Sequence, residues 1–520
     1  ARSRSLYLAR GLRGSKRQSL MSNFKEQKVS SVTVDVQRGL GHLDRNVFGG
    51  FVEHLGRCIY GGVFEEGSPL SNTEGFRTDV VELLRPLRMG VLRWPGGNFV
   101  SNYHWADGIG PREGRPRRVE LAWGAEEPNQ FGTDEFLAYC AELGVTPYIC
   151  LNMGTGSLEE ALAWVEYCNS TANSYWADRR RQYGHEAPYG VPYWGLGNEM
   201  YGEWQIGQLT AEEYVREAKR WALAIRRLDP HAKLVSCGQT GWEDWDRVVI
   251  DGMARLVDFH SVHLYTGSAD YWTNVLSPHQ AERAIQYTSA WIAHAVYSQR
   301  LAQTPRIAYD EWNVWYRTMD SSLEERYSFA DALAVATYLN IFVRHCRWVT
   351  MANLAQMVNA IAPIVTTEEG SFVQPIYYPF LLHARSALDE AVDVHVSGPT
   401  VEAPPAQPGD RWHEHRIADL GPFSVLDAAA TVNAARTKAA VTIINRSTEE
   451  ARGVEVVLRG SAFSGDAKVS TLTASTHRPA PDIEGAKVEE RSEPTKDDRI
   501  VVDLPASSFT VIETATVGAK

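Results

Sequence analysis

The sequence predicts an α/β protein: a (β/α)8 TIM barrel with a C-terminal antiparallel β-sandwich domain. Three observations carry the prediction. Short apolar runs ending in polar residues alternate with helical stretches eight times over roughly 320 residues. Two of those runs end alike, Trp194-Gly-Leu-Gly-Asn-Glu199 and Ile307-Ala-Tyr-Asp-Glu311, each in a carboxylate with aromatic residues close behind. After Arg385 the helical period disappears, and short alternating runs separated by turn residues take over.

The chain begins with a stretch rich in Arg and Lys that contains no acid before Glu26. Residues 1–25 are expected to be a disordered leader ahead of or around Met21, with a transit-like peptide as the other reading. No signal-peptide apolar core is present, and the sequons at Asn169 and Asn445 read as accidental. The alternating run at 28–38 is a strand within a 26–45 segment expected to pair with the sandwich. The barrel is expected over 46–388. Its strands end near Glu53, Arg93, Asn152, Glu199, Cys237, Tyr265, Glu311 and Gln356.

Between them lie helices at 78–88, 133–143, 158–168, 210–228, 279–301 and 330–344. Gly144 stops the second of these, and Thr210 with Glu213 forms a capping box at the start of the fourth. A Pro/Gly loop at 396–411 is followed by alternating runs at 424–433, 438–445, 454–458, 468–474, 499–504 and 508–513. These place the sandwich over 389–520.

The 520 residues carry a net charge of −12. That balance gives no basic footprint for nucleic acid. No stretch is long and apolar enough to span a bilayer. The six cysteines are scattered without a CxxC and read as reduced packing thiols rather than zinc ligands. There is no GxGxxG and no GxxxxGK[ST], and the set offers neither a thiol nucleophile nor a phosphate cradle. No cofactor and no metal are expected. His54 beside Glu53 has no third ligand at a suitable spacing.

The strand ends instead gather Glu53, Arg93, Asn98, Asn198, Glu199, His263, Tyr265, Glu311 and Gln356 at one end of the barrel. Two carboxylates among hydrogen-bonding groups suit a neutral polyol. Two nearby glutamates cannot both ionise freely, so one is expected to stay protonated as a general acid and the other ionised as a nucleophile. This is the chemistry of glycoside hydrolysis. Glu53 and Arg93 also read as a salt bridge between two strands, and His263 as a satisfied core histidine. Trp94, Trp194 and Trp312 read as packing, whereas Trp123 and Trp315 lie in loops and are candidates for a sugar face. Asp107 is a loop carboxylate without an identifiable partner.

Six segments in order are similar to the α-L-arabinofuranosidases of glycoside hydrolase family 51, over about residues 28 to 515. They are Phe48 to Gly62, Leu92 to Asn98, Tyr193 to Met200, His263 to Tyr265, Asp310 to Tyr316 and Asn353 to Pro363. The resemblance implies a retaining, exo-acting enzyme that releases terminal arabinofuranosyl groups from arabinan or arabinoxylan fragments. It implies Glu199 as acid/base and Glu311 as nucleophile, and Asn198 on the sugar 2-hydroxyl. Glu53 and Asn98 would hold other hydroxyls. Arg93 and Tyr265 would attend the nucleophile, and His263 the acid/base. Gln356, Trp123 and Trp315 would line the pocket. It further implies a cytoplasmic homohexamer that needs no cofactor. An endo-β-glucanase-like or xylosidase-like enzyme on the same scaffold, and a carbohydrate-binding barrel without catalysis, are the alternatives.

Overall fold

The structure is a computed structural model that describes residues 30–317, 323–405, 416–449, 452–475 and 485–518. The leader and residues 406–411 of the 396–411 loop lie outside the described residues.

Strand β1 (Ser30–His42) precedes the barrel. The barrel strands are β2 (Gly49–Phe51), β3 (Val91–Trp94), β4 (Thr146–Leu151), β5 (Tyr193–Leu196), β6 (Lys233–Ser236), β7 (Phe259–Thr266), β8 (Arg306–Val314) and β9 (Val349–Ala355). All neighbours pair in parallel, and β9 pairs with β2 to close the ring. Each expected strand end lies within three residues of the observed one. The floor of the barrel is a plug of inward side chains: Val91, Tyr148, Tyr193, Val235, Phe259, Ala308 and Met351. Such packing makes the interior a core rather than a pore, so the chemistry is left to the strand ends.

Local differences have local causes. Pro86 tightens the helix expected over 78–88: it is α-helical over Thr78–Leu84 and 3-10 over Arg85–Leu87. A second helix, Tyr175–Gln182, precedes β5 and has no apolar stripe to announce it. Helix Tyr377–Ser386 follows β9. The helix Phe329–Arg344 is buried along most of its length. A helix apolar all round must be covered on every side. It lies between barrel and sandwich, where Asn340 and Arg344 donate to the Asp427 carboxylate at 2.8 and 3.1 Å.

The C-terminal unit is one continuous sheet curled around its own core of Val32, Val34, Val441, Ile443, Val456 and Ile512, among others. β1 joins it, antiparallel to β10 (Glu390–Ser397) and parallel to Arg452–Arg459. That parallel pair is the exception to the expected antiparallel order. An edge strand, Ala486–Glu493, went unread because its sequence, AKVEERSE, is charged on both faces. Charge on an edge strand discourages pairing with another chain.

Candidate active site

A cavity of about 640 Å³ opens at the ends of the barrel strands. That is within the usual range for small-ligand pockets, roughly 300–1,000 Å³. Glu53, Asn98, Trp123, Glu199, His263, Tyr265, Glu311, Trp315 and Gln356 line it. Arg93 and Asn198 lie directly beneath and bond to the lining residues.

Glu311 sits on β8, whose register slips against β7 between Ala308 and Glu311. Consecutive residues of a regular strand point to opposite faces. The irregularity turns both Asp310 and Glu311 inward. The Glu311 carboxylate accepts from Arg93 Nη1 at 2.7 Å and from the Tyr265 hydroxyl at 2.9 Å. Arg93 is 1% exposed, and its other terminal nitrogen donates to Asn198 Oδ1 at 2.6 Å. A buried guanidinium bonded to a carboxylate and a neutral amide fixes the position of both acceptors.

Glu199 follows β5, past a turn that holds its own backbone at φ 45°, the left-handed region. For a residue with a Cβ that conformation costs on the order of 1 kcal/mol. Bonds from Gly202 N to the Glu199 carbonyl at 2.8 Å and from Met200 N to Cys237 Sγ at 3.4 Å hold the turn. Its Oε1 lies 2.9 Å from His263 Nδ1, and its Oε2 accepts from the Trp204 indole at 3.2 Å.

Burial works to raise the Glu199 carboxyl, but His263 and Trp204 outweigh it and hold it below the ordinary range. Burial likewise opposes a charged His263, yet Glu311, Asp310 and Glu199 together push it up to about 10. The two shifts run in opposite directions because the ring stands among carboxylates.

The carboxyl pushed upward is Glu53, to about 8, first by burial and then by the charge on Glu311. Glu53 accepts three bonds: from Phe99 N at 3.1 Å, Trp123 Nε1 at 3.2 Å and Gln356 Nε2 at 2.9 Å. Gly97 makes the space, since a Cβ there would meet Glu53 Oε2 at 2.5 Å. Trp123 and Trp315 stand on the pocket wall, and Trp315 packs edge-on to Tyr265 with ring centres 5.3 Å apart. Trp94, Trp194 and Trp312 are fully buried in the core. Asp107 pairs with Arg118 at 2.7 Å, and His54 with Glu127 at 2.8 Å.

Glu199, His263 and Glu311 each offer a ligand atom within 4.8 Å of the others, a spacing that a metal ion could use. The Arg93 guanidinium, 2.7 Å from Glu311 Oε1, already places a positive charge against one carboxylate of the trio and disfavours a cation there.

Sequence reasoning missed Asp310, Tyr201 and Trp204. Asp310 is buried and meets Ser261 Oγ at 2.5 Å, the Tyr148 hydroxyl at 2.8 Å and His263 Nε2 at 3.3 Å. Strand alternation would point it away from Glu311, so no direct signal for it stood in the sequence. Trp204 is 63% exposed at the pocket mouth, in a polar loop with no periodicity to point to it.

Comparison with known proteins bears on the family. Residues 83–283 match the model of the alpha-L-arabinofuranosidase 1 domain, and residues 310–508 that of the alpha-L-arabinofuranosidase C-terminal domain. A probable alpha-L-arabinofuranosidase C of Aspergillus fumigatus is 41% identical over 509 residues, covering 94% of this chain and 98% of its own. An intracellular exo-alpha-(1->5)-L-arabinofuranosidase 1 of Bacillus subtilis is 35% identical, covering 83% of this chain and 88% of its own. The solved thermostable GH51 alpha-L-arabinofuranosidase of Thermotoga petrophila superposes with a TM-score of 0.85 at 38% identity, over 93% of this chain and 99% of that one. With a barrel, a companion sheet unit and near full-length similarity in hand, the chain belongs to the α-L-arabinofuranosidases of glycoside hydrolase family 51.

Proposed function

We propose that the protein is a retaining, exo-acting α-L-arabinofuranosidase that removes terminal arabinofuranosyl groups from arabinan, arabinoxylan and their oligosaccharides. One observation carries the mechanism: oxygens of the Glu199 and Glu311 carboxylates approach within 4.8 Å across the pocket. Retaining enzymes hold their two carboxyl groups roughly 5–5.5 Å apart, whereas inverting ones leave room for a water between them, at about 6.5–9.5 Å.

Glu311, held by Arg93 and Tyr265, attacks the anomeric carbon and forms a glycosyl ester. Glu199 protonates the departing oxygen and then takes a proton from the water that releases the sugar. Asn198, held by Arg93, addresses the 2-hydroxyl, and Glu53 and Asn98 address the others. Trp123, Trp315 and Gln356 line the ring's surroundings. Trp204, exposed beside Glu199, offers a flat face to the leaving sugar.

Aryl α-L-arabinofuranoside, β-D-xyloside and β-D-glucoside, tested side by side, read the substrate class. The arabinofuranoside is expected to be preferred by at least about a hundredfold, roughly 3 kcal/mol in the transition state. Proton NMR of the first product is expected to show the α-anomer. A preference for the glucoside would keep the two-carboxylate mechanism and replace the substrate. A first product of inverted configuration would remove the covalent route.

The assembly we infer is a homohexamer, as the family resemblance suggests. Light scattering is then expected to give a particle of about six times the 58.1 kDa chain, and a monomer would overturn it. Among the described residues no helix is long and apolar enough to cross a membrane. The name of the Bacillus subtilis relative, an intracellular enzyme, supports a cytoplasmic place of action.

A further inference from the structure

Both ring nitrogens of His263 face carboxylates. Nδ1 lies 2.9 Å from Glu199 Oε1 and 3.6 Å from Glu311 Oε2, and Nε2 lies 3.3 Å from Asp310 Oδ1. A neutral imidazole has one N–H and one lone pair. In that form one nitrogen would turn its lone pair toward an anion.

Two proton arrangements avoid this. In one, His263 is doubly protonated and Glu199 is ionised. In the other, His263 keeps only its Nε2 proton and Glu199 is a carboxylic acid donating to Nδ1. The arrangements contain the same number of protons and differ by one shift along a 2.9 Å contact. Both need an anion at Nε2, and Asp310 is that anion. Asp310 has no substrate-facing task, because it is 1% exposed beneath the pocket, tied to Ser261 and Tyr148 and 3.7 Å from Arg93 Nε.

We propose that Asp310 is a positioning residue that holds a proton on His263, and that the His263–Glu199 pair, not Glu199 alone, stores the proton given to the leaving oxygen. The inference rests on the reading of Glu199 as acid/base. In the first displacement a Glu311 oxygen bonds to the anomeric carbon, and the glycosidic bond breaks with its electron pair going to the leaving oxygen. That oxygen takes a proton from the Glu199 carboxyl, and Nδ1 of His263 supplies the pair's proton. A neutral imidazole remains, its Nε2–H still on Asp310. In the second displacement the water oxygen bonds to the anomeric carbon as the Glu311 ester breaks. The water's proton passes to the Glu199 carboxylate and restores the pair.

The charged groups around His263 come from every neighbouring element. Asp310 and Glu311 lie on β8, Arg93 on β3 and Glu199 beyond β5, and Glu53 lies across Glu311. The Cys237 thiol, raised by burial, and the Tyr265, Tyr148 and Tyr201 hydroxyls, raised by burial first and by neighbouring charge next, stay neutral. Glu199 is the carboxylate nearest His263 Nδ1, at 2.9 Å against 3.6 Å for Glu311, and so is the partner for proton exchange.

Asp310→Asn keeps the shape and removes the anion. The test is the pH profile of kcat/KM on an arabino-oligosaccharide, whose leaving group needs a proton, and on a dinitrophenyl arabinofuranoside, whose leaving group does not. For the oligosaccharide, the alkaline limb is expected to fall by about one pH unit or more, because the pair binds its proton less tightly without the negative charge. For the activated substrate, kcat/KM is expected to stay within a few fold. An unmoved limb, or an equal loss on both substrates, overturns the proposal and leaves Asp310 as a support for Arg93.

If Asp310→Asn does not fold, as thermal unfolding would reveal, His263→Gln tests the same pair. Gln donates to Glu199 but stores no proton, so the same selective loss is expected, and an equal loss on both substrates again overturns the proposal. Glu199→Ala with added azide separates this failure from failure of the underlying reading. Formation of glycosyl azide keeps Glu199 as acid/base whatever Asp310 does, and its absence removes that assignment first.

Discussion

Glu311→Gln is expected to abolish turnover, by at least about 10⁴-fold in kcat, or more than ~5 kcal/mol of barrier. The amide is isosteric: its oxygen can accept from Arg93 Nη1, which lies 2.7 Å from Glu311 Oε1, and its NH2, in the place of Oε2, can donate to the Tyr265 oxygen 2.9 Å away. What it cannot do is attack the anomeric carbon as an anion, so the covalent route closes. The fold is expected to survive, because Asp310 still faces Arg93 at 3.7 Å and leaves that buried cation with a partner. The measurement is kcat on an aryl arabinofuranoside together with thermal unfolding of the purified variant. Wild-type turnover in a folded sample would overturn the nucleophile assignment. Loss of fold would show instead that the Arg93–Glu311 contact is structural, the salt-bridge reading that the sequence alone left open for Arg93.

The framework of the site was legible because its residues stand where apolar runs end. A parallel strand buried on both faces can carry a polar group only at its exit, so Glu53, Glu199, Glu311 and Gln356 marked themselves. The sandwich was legible wherever its strands alternate, and missed at Ala486–Glu493, where charge on both faces hides the period. The proton's location was not legible. It depends on how three carboxylates, two on β8 and one beyond β5, surround His263, a matter of ångströms that spacing along the chain does not encode. Asp310 was missed for a related reason. Alternation would point it away from Glu311, and only the slip in β8 register brings both inside. Trp204 has no periodic context, and its exposed face acquires meaning only from its bond to Glu199.

Glu199→Ala is expected to separate the two displacement steps. For an oligosaccharide, kcat/KM is expected to fall by about 10²–10⁴-fold, the usual contribution of a positioned general acid. For a dinitrophenyl arabinofuranoside, kcat/KM is expected to stay within about tenfold, because that leaving group departs as an anion. Its kcat is nevertheless expected to drop, since the second displacement still needs a base to take the water's proton. Azide, which needs no base, then restores turnover and leaves as the glycosyl azide. Only a residue serving as acid in one step and base in the next gives this divided pattern. Uniform loss on both substrates, without azide rescue, would make Glu199 a binding group and require another proton source. His263 is the remaining candidate within reach, since its Nδ1 lies 2.9 Å from Glu199 and 3.6 Å from Glu311. The deletion would also expose the exchange itself: without Glu199, His263 keeps Asp310 and Glu311 as anionic neighbours but loses the carboxylate that can receive its proton.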